Sequence, residues 1–150
     1  MKTRARLDRA HEIASLRKLL RQRALTDAAG AQALRDAGRE RESRAVAARD
    51  AHFAAWRAAV GTAGQLVPAL LTNFAGAIAG LAAECDTARA QQIQRQAALD
   101  ACLQQLTQHD RLAELANEQV AAAEGQYRRA LDERRMAERE IRSTATMEDR

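Results

Sequence analysis

The chain has 150 residues, of which 47% are hydrophobic, 29% charged and only 3% aromatic, with a formal net charge of +4. Most of the hydrophobic fraction is alanine, and the aromatic residues are Phe53, Trp56, Phe74 and Tyr127. Alanine is the best helix former but adds little core volume, so this composition argues against a compact, large-cored domain and for an all-α chain of long helices with thin seams.

The N-terminal run Met1-Lys2-Thr3-Arg4-Ala5-Arg6-Leu7-Asp8-Arg9 has no apolar stretch after its charges, so it is not expected to act as a secretory signal. A first helix is predicted from about residue 4 to about residue 60. Its stripe is Leu7, Ile13, Leu16, Leu20, Ala24, Ala28, Ala31, Leu34, Gly38, Ala45, Ala48, Trp56 and Val60, at steps of three, four or seven. Gly30 and Gly38 lie inside it and each costs about 1 kcal/mol relative to alanine, so this arm depends on a partner.

Gly61-Thr62-Ala63-Gly64 breaks the pattern, and Pro68 follows. Glycine past one helix end and proline in the first turn of the next predict a bend at about 61–67, with a later bend among Asn73, Gly76 and Gly80 as the alternative. Around it, no residue from Ala58 through Ala83 is charged. A membrane span needs about 20 apolar residues. Gln65, Thr62, Thr72, Asn73, Pro68 and the glycines argue against one here, and favour a hairpin tip whose apolar surface binds another protein.

From Leu71 to Ile141 the chain carries one seven-residue repeat without a skip. The first core row is Leu71, Ile78, Cys85, Gln92, Leu99, Leu106, Ala113, Val120, Tyr127, Arg134 and Ile141. The second is Phe74, Leu81, Ala88, Arg95, Cys102, His109, Ala116, Ala123, Ala130 and Ala137. A spacing of 3.5 residues keeps such a seam facing one partner helix. The expected fold is therefore all-α, a long two-helix antiparallel coiled-coil hairpin occupying residues 1–150, with helix two at about 68–142 and a frayed tail at 143–150. Pairing outward from the bend sets residue 20 opposite roughly residue 108 and residue 7 opposite roughly 121, leaving helix two to overhang by about 15–20 residues. Gln92, Arg95, His109 and Arg134 are polar interruptions that fix register. Cys85 and Cys102 lie too far apart on one helix to pair, and fit a reducing cytosol as small apolar residues.

Both terminal regions carry a net positive charge. Residues 1–25 hold eight basic and two acidic side chains, and residues 126–142 hold six and four. The open end of the hairpin is thus basic, which suits an acidic protein surface. Nucleic acid is not an expected partner: single-strand binders need aromatic stacking platforms, and the densest basic run, Arg17 to Arg23, is interleaved with leucines. No glycine-rich phosphate loop, Cys-x-x-Cys or catalytic serine–histidine pattern occurs, and His11, His52 and His109 lie far apart in sequence. Hairpin pairing, with residue 11 opposite roughly residue 117, brings His11 within about two turns of His109, but a metal site there would need more ligands. The expectation is a non-enzymatic protein with no cofactor and no metal.

The two long helices, the basic N-terminus, the tryptophan ending helix one and the Phe74-x-x-x-Ile78-x-x-Leu81 segment opening helix two resemble the FliJ/YscO family. These are cytoplasmic central stalk proteins of bacterial type III export apparatuses, flagellar or injectisome, the latter serving virulence. The resemblance implies an antiparallel coiled coil whose open end inserts into the hexameric ring of the export ATPase. It also implies contact between helix two and the cytoplasmic domain of the export gate, association with the inner membrane only through such partners, and binding of export chaperones by some members. Carried onto this chain, the gate contact falls on Phe74, Ile78, Leu81 and Cys85, the last departing from the polar residue expected there. The ATPase contact falls on Arg4, Arg6, Arg17 and Arg21 with Arg128, Arg134, Arg135 and Arg139. Without the resemblance, the residues leave open a generic coiled-coil adaptor or chaperone, or a helical protein associated with nucleic acid.

Overall fold

The computed structural model describes the backbone of residues 2–62 and 68–148 and the side chains of residues 2–62 and 68–140. Two α-helices, α1 (Lys2–Thr62) and α2 (Pro68–Glu148), pack against each other as a helical hairpin, and no strand occurs among the described residues. α2 opens on Pro68, whose missing N–H is of no consequence in a first turn. In the last turn of α1 the Thr62 hydroxyl donates to the carbonyls of Ala58 and Ala59, both at 3.1 Å, the latter an acceptor that helix termination leaves open.

Three sequence expectations change. Gly61 and Thr62 belong to α1, and the rest of the expected bend, residues 63–67, lies outside the described residues. The alternative bend is excluded, because Asn73, Gly76 and Gly80 are all helical. The tail expected to fray from Ser143 is helical through Glu148.

Along α2, every core position from Phe74 to Ala130 is buried or half-buried, and the polar members Gln92, Arg95 and His109 are included. The ladder is narrower than its sequence at both ends: Leu71, Arg134 and Ala137 are exposed, and the side chain of Ile141 lies outside the described residues.

α1 also carries a strict heptad, but one written in small and charged residues. Leu7, Ala14, Arg21, Ala28, Arg35, Glu42, Arg49 and Trp56 form one row, and Ala10, Arg17, Ala24, Ala31, Gly38, Ala45 and His52 form the other. All are buried or half-buried except Arg21. The stripe read from the sequence is corrected at Ile13, Leu16, Leu34 and Ala48, which are exposed. Leucine, isoleucine and valine on α2 fill the seam, which leaves room on α1 for alanine, glycine and arginine stems. Such stems cover apolar surface while the guanidinium reaches water.

The chain divides into two compact units. One unites Met1–Leu25 with Gln105–Arg150. Within it Ala24 and Ala116 are buried, and Arg21 forms a hydrogen-bonded ion pair with Asp110. His11 Nε2 stands 3.7 Å from Glu124, which Arg128 approaches from one turn away at 3.7 Å. The pairing is shifted from that expected by about one turn at Arg21–Asp110 and about two turns at His11–Glu124, so His11 faces Glu124 and not the neighbourhood of His109. Lys2 and Thr3 share a groove with Ala130, Glu133, Arg134 and Ala137. The part of α2 that α1 leaves uncovered is therefore shorter than lengths alone suggested.

The second unit is Thr26–Gln104, with Ala28, Cys85, Ala88 and Leu99 as its buried core. Arg89 pairs with Glu42 at 3.5 Å, and Arg41 donates to Gln91 at 3.5 Å. Between them the seam becomes polar. Arg95 Nη1 donates to the Leu34 carbonyl at 3.2 Å, beside Gly38.

Candidate functional site

The first candidate surface lies in unit Thr26–Gln104, where α1 approaches the bend and α2 leaves it. Phe74 organises it. Its ring stacks on Trp56 with centroids 4.2 Å apart and on His52 at 5.3 Å, while Phe53 meets it edge-on at 5.7 Å. Half the chain's aromatic content thus gathers around one ring, and such pairs contribute beyond their buried area, on the order of 1 kcal/mol each. Beside them runs an open groove of about 420 Å³ lined by Ala55, Trp56, Ala59, Leu70, Asn73 and Ala77. Leu70, which lines this groove, and its neighbour Leu71 are 55% and 43% exposed, with no charge nearby in sequence.

The four residues carried over from the family occupy seam positions here. Cys85 is buried and Phe74, Ile78 and Leu81 are half-buried, so each presents an edge to solvent at most. The more exposed apolar side chains of this end are Leu70 and Leu71. Sequence reasoning took Leu71 as seam and passed over Leu70, and the structure leaves both exposed. By length and composition alone, α2 also contains a stretch apolar enough to cross a bilayer, with a mean hydropathy of 1.2 over its best window and 6% of that window buried.

The second surface lies in unit Met1–Leu25 with Gln105–Arg150. Arg4, Arg6, Arg134 and Arg139 are exposed. Arg128 and Arg135 are also exposed, with ion pairs to Glu124 at 3.7 Å and Asp132 at 3.9 Å along the same helix. Exposed pairs of this kind are worth under about 1 kcal/mol, so a carboxylate partner competes with them easily. Arg17 and Arg21 differ. Arg17 is half-buried in the seam and Arg21 is engaged by Asp110, so both serve the packing of the unit first.

Three buried side-chain atoms have no hydrogen-bond partner among the described residues: Arg35 Nε, Gln92 Oε1 and His109 Nδ1. All three belong to core rows. A polar seam residue weakens a coiled coil while restricting the partners and registers it accepts. No group of three metal-ligating side chains occurs among the described residues.

Sequence reasoning did not anticipate that several large apolar residues near the termini stand outside the seam. Ile13, Leu16 and Leu19 of α1 and Leu112 and Leu115 of α2, all in the unit that holds the termini, point outward. The signal that reveals them is the small-residue heptad of α1, which displaces its leucines from the core rows. Compared with models of known protein families, with curated proteins and with solved structures, the chain matches none.

Proposed function

We propose that this chain is a non-enzymatic central stalk of a type III secretion or export ATPase complex. It acts at the cytoplasmic face of the inner membrane, in a flagellar or injectisome system. In this reading the arginine-rich end inserts into the ATPase ring through Arg4, Arg6, Arg128, Arg134, Arg135 and Arg139. The uncharged end touches the export gate through Phe74, Ile78 and Leu81, helped by the outward Leu70 and Leu71, and export chaperones are further partners.

The observation that carries the reading is the segregation of charge on a helical hairpin. Exposed arginines cluster where the termini meet, and no charge falls between Ala58 and Ala83. Stalk action needs grips at two places and little chemistry between them, which suits a thin alanine seam. The test is co-purification of the full chain with the ATPase and the gate cytoplasmic domain encoded beside it. Loss of gate binding in Leu70→Ser with Leu71→Ser, and loss of ATPase binding in Arg134→Glu with Arg139→Glu, is the expected result. No binding to either partner removes the proposal.

A coiled-coil adaptor outside secretion is the second reading, favoured by the outward leucines near the termini, which a two-partner stalk does not require.

A further inference from the structure

We propose that one edge of the seam in unit Thr26–Gln104, running from Gln91 to Leu70, is a self-association face on which the same edge of a second copy of this chain docks. The two uncharged ends then lie side by side. This goes beyond the export-ATPase reading, and its test needs neither the ATPase nor the gate.

Two grooves open on this edge. One is the groove of about 420 Å³ at the aromatic cluster, which Ala55, Trp56, Leu70, Phe74 and Ala77 help to line. The other holds about 440 Å³ between Arg41 and Ala45 of α1 and Glu84, Thr87, Ala88 and Gln91 of α2. Heptad position places them on one side. Leu70, Ala77, Glu84 and Gln91 follow at intervals of seven, each immediately before a core residue of α2. Arg41 and Ala55 hold the same place on α1, before Glu42 and Trp56. Arg41 and Gln91 meet across the helices at 3.5 Å, which fixes this as a shared edge. Residues at one heptad position share a face of the supercoiled pair. Between the grooves stand Ala48 and Gly80, both exposed, and a Cβ on Gly80 would meet nothing within 4 Å. The grooves therefore lie end to end along an open edge of about 32 Å, at 1.5 Å per residue.

Charge selects the occupant. The wall that α2 contributes is uncharged from Pro68 to Ala83. Only Arg41 and Glu84 among the lining residues of both grooves carry full charge. They are exposed, opposite in sign, and form no ion pair among the described residues. The surface that matches this pattern is the same edge itself. A two-fold axis along the hairpin lays α1 of one copy on α2 of the other, uncharged zone on uncharged zone and polar end on polar end. One copy's arginine then adds to a site that holds the other's glutamate, so no net repulsion arises. Alanine and glycine along the edge permit the helix spacing of about 8–10 Å found in four-helix bundles. A helix of another protein with charges along its stripe would leave them unanswered on the uncharged wall. A bilayer laid along the edge would have to take in Arg41 and Glu84 as well.

Two helices each about 10 Å wide over this length give roughly 600 Å² per copy, below the ~800 Å² of a standard interface. The dimer is accordingly a weak one, with a Kd on the order of 10 µM.

The test is sedimentation equilibrium of the full chain across that concentration range, with tryptophan emission recorded on the same samples. Trp56 is the single tryptophan and lines the edge, so its emission should move to shorter wavelength as dimer forms. Ala55→Glu with Ala77→Glu places carboxylates in the groove and should weaken association at least tenfold, leaving the emission independent of concentration. Ala54→Glu with Ala79→Glu adds the same charge away from the groove linings and should leave association unchanged. All four alanines are exposed, so circular dichroism of both variants should match the parent. A chain that stays monomeric to about 200 µM, some twentyfold above the expected Kd, overturns the proposal. So does a dimer that persists in the groove variant, that is lost equally in both variants, or that leaves Trp56 emission unmoved. Sedimentation of the monomer with neutral phospholipid vesicles, lost in the groove variant alone, would assign the edge to a bilayer and overturn it as well.

Discussion

Arg95 donates from Nη1 to the main-chain carbonyl of Leu34 at 3.2 Å, reaching across the seam where Gly38 presents no side chain. A Cβ on Gly38 would stand 2.5 Å from Gln92 Oε1, 2.6 Å from Arg95 Nη1 and 2.9 Å from Arg95 Cδ. Gly30, in the same helix, has nothing within 4 Å of the corresponding point. The two glycines thus separate backbone propensity from close approach. Gly30→Ala should raise stability by about 0.5–1 kcal/mol through helix propensity alone. Gly38→Ala should gain nothing and lose about 1–2 kcal/mol, because the arginine stem as well as its head must move. Urea denaturation followed at the helical circular dichroism band measures both.

His109 offers the opposite kind of change. Its Nδ1 is buried and unpartnered in a core row of α2, so His109→Leu removes a desolvated polar atom and adds apolar volume. An increase in stability of about 1–2 kcal/mol is expected. Light scattering of the same variant should also reveal more self-association, since the seam then rejects fewer alternative partners.

Trp56 is the single tryptophan, and it stacks on Phe74, which makes its fluorescence a reporter of the uncharged end. Phe74→Ala removes the ring that His52, Phe53 and Trp56 share. The expected result is a red-shifted emission and a loss of about 1–3 kcal/mol, smaller than a fully buried phenylalanine would give because Phe74 is half-buried. Hydrogen exchange should quicken near His52 and Phe74 and remain unchanged around Leu99.

Much of α2 was legible in its sequence, because a run of seventeen core positions from Phe74 to Ala130 follows one count and all are shielded. The polar members did not spoil the reading, since their stems still fill the seam. α1 was harder. Hydrophobic periodicity gives weight to leucine and isoleucine, and in α1 those residues stand beside the seam while Ala10, Ala14, Ala24, Ala28 and Gly38 occupy it. The register was off by about one to two turns for a related reason: it was counted from the bend, whereas Arg21–Asp110 and His11–Glu124 set it near the termini. Of the candidate sites, the basic end was legible from charge alone. The residues proposed to contact a gate came from the family resemblance alone, and their burial in the seam depends on how α1 packs against them, which composition does not determine.

The central claim is that the arginine-rich end grips an ATPase ring. Arg134, Arg135 and Arg139 are exposed and contribute little to folding, so their replacement by glutamate should leave helicity and thermal stability unchanged. The most direct measurement is analytical ultracentrifugation of the cognate export ATPase with the purified chain, with hydrolysis rate recorded in parallel. The account predicts that the chain shifts the ATPase towards the hexamer and raises its turnover, with both effects lost in the triple arginine variant and weakened by salt. An unchanged oligomer distribution with the parent chain, or full stimulation by the triple variant, would contradict it.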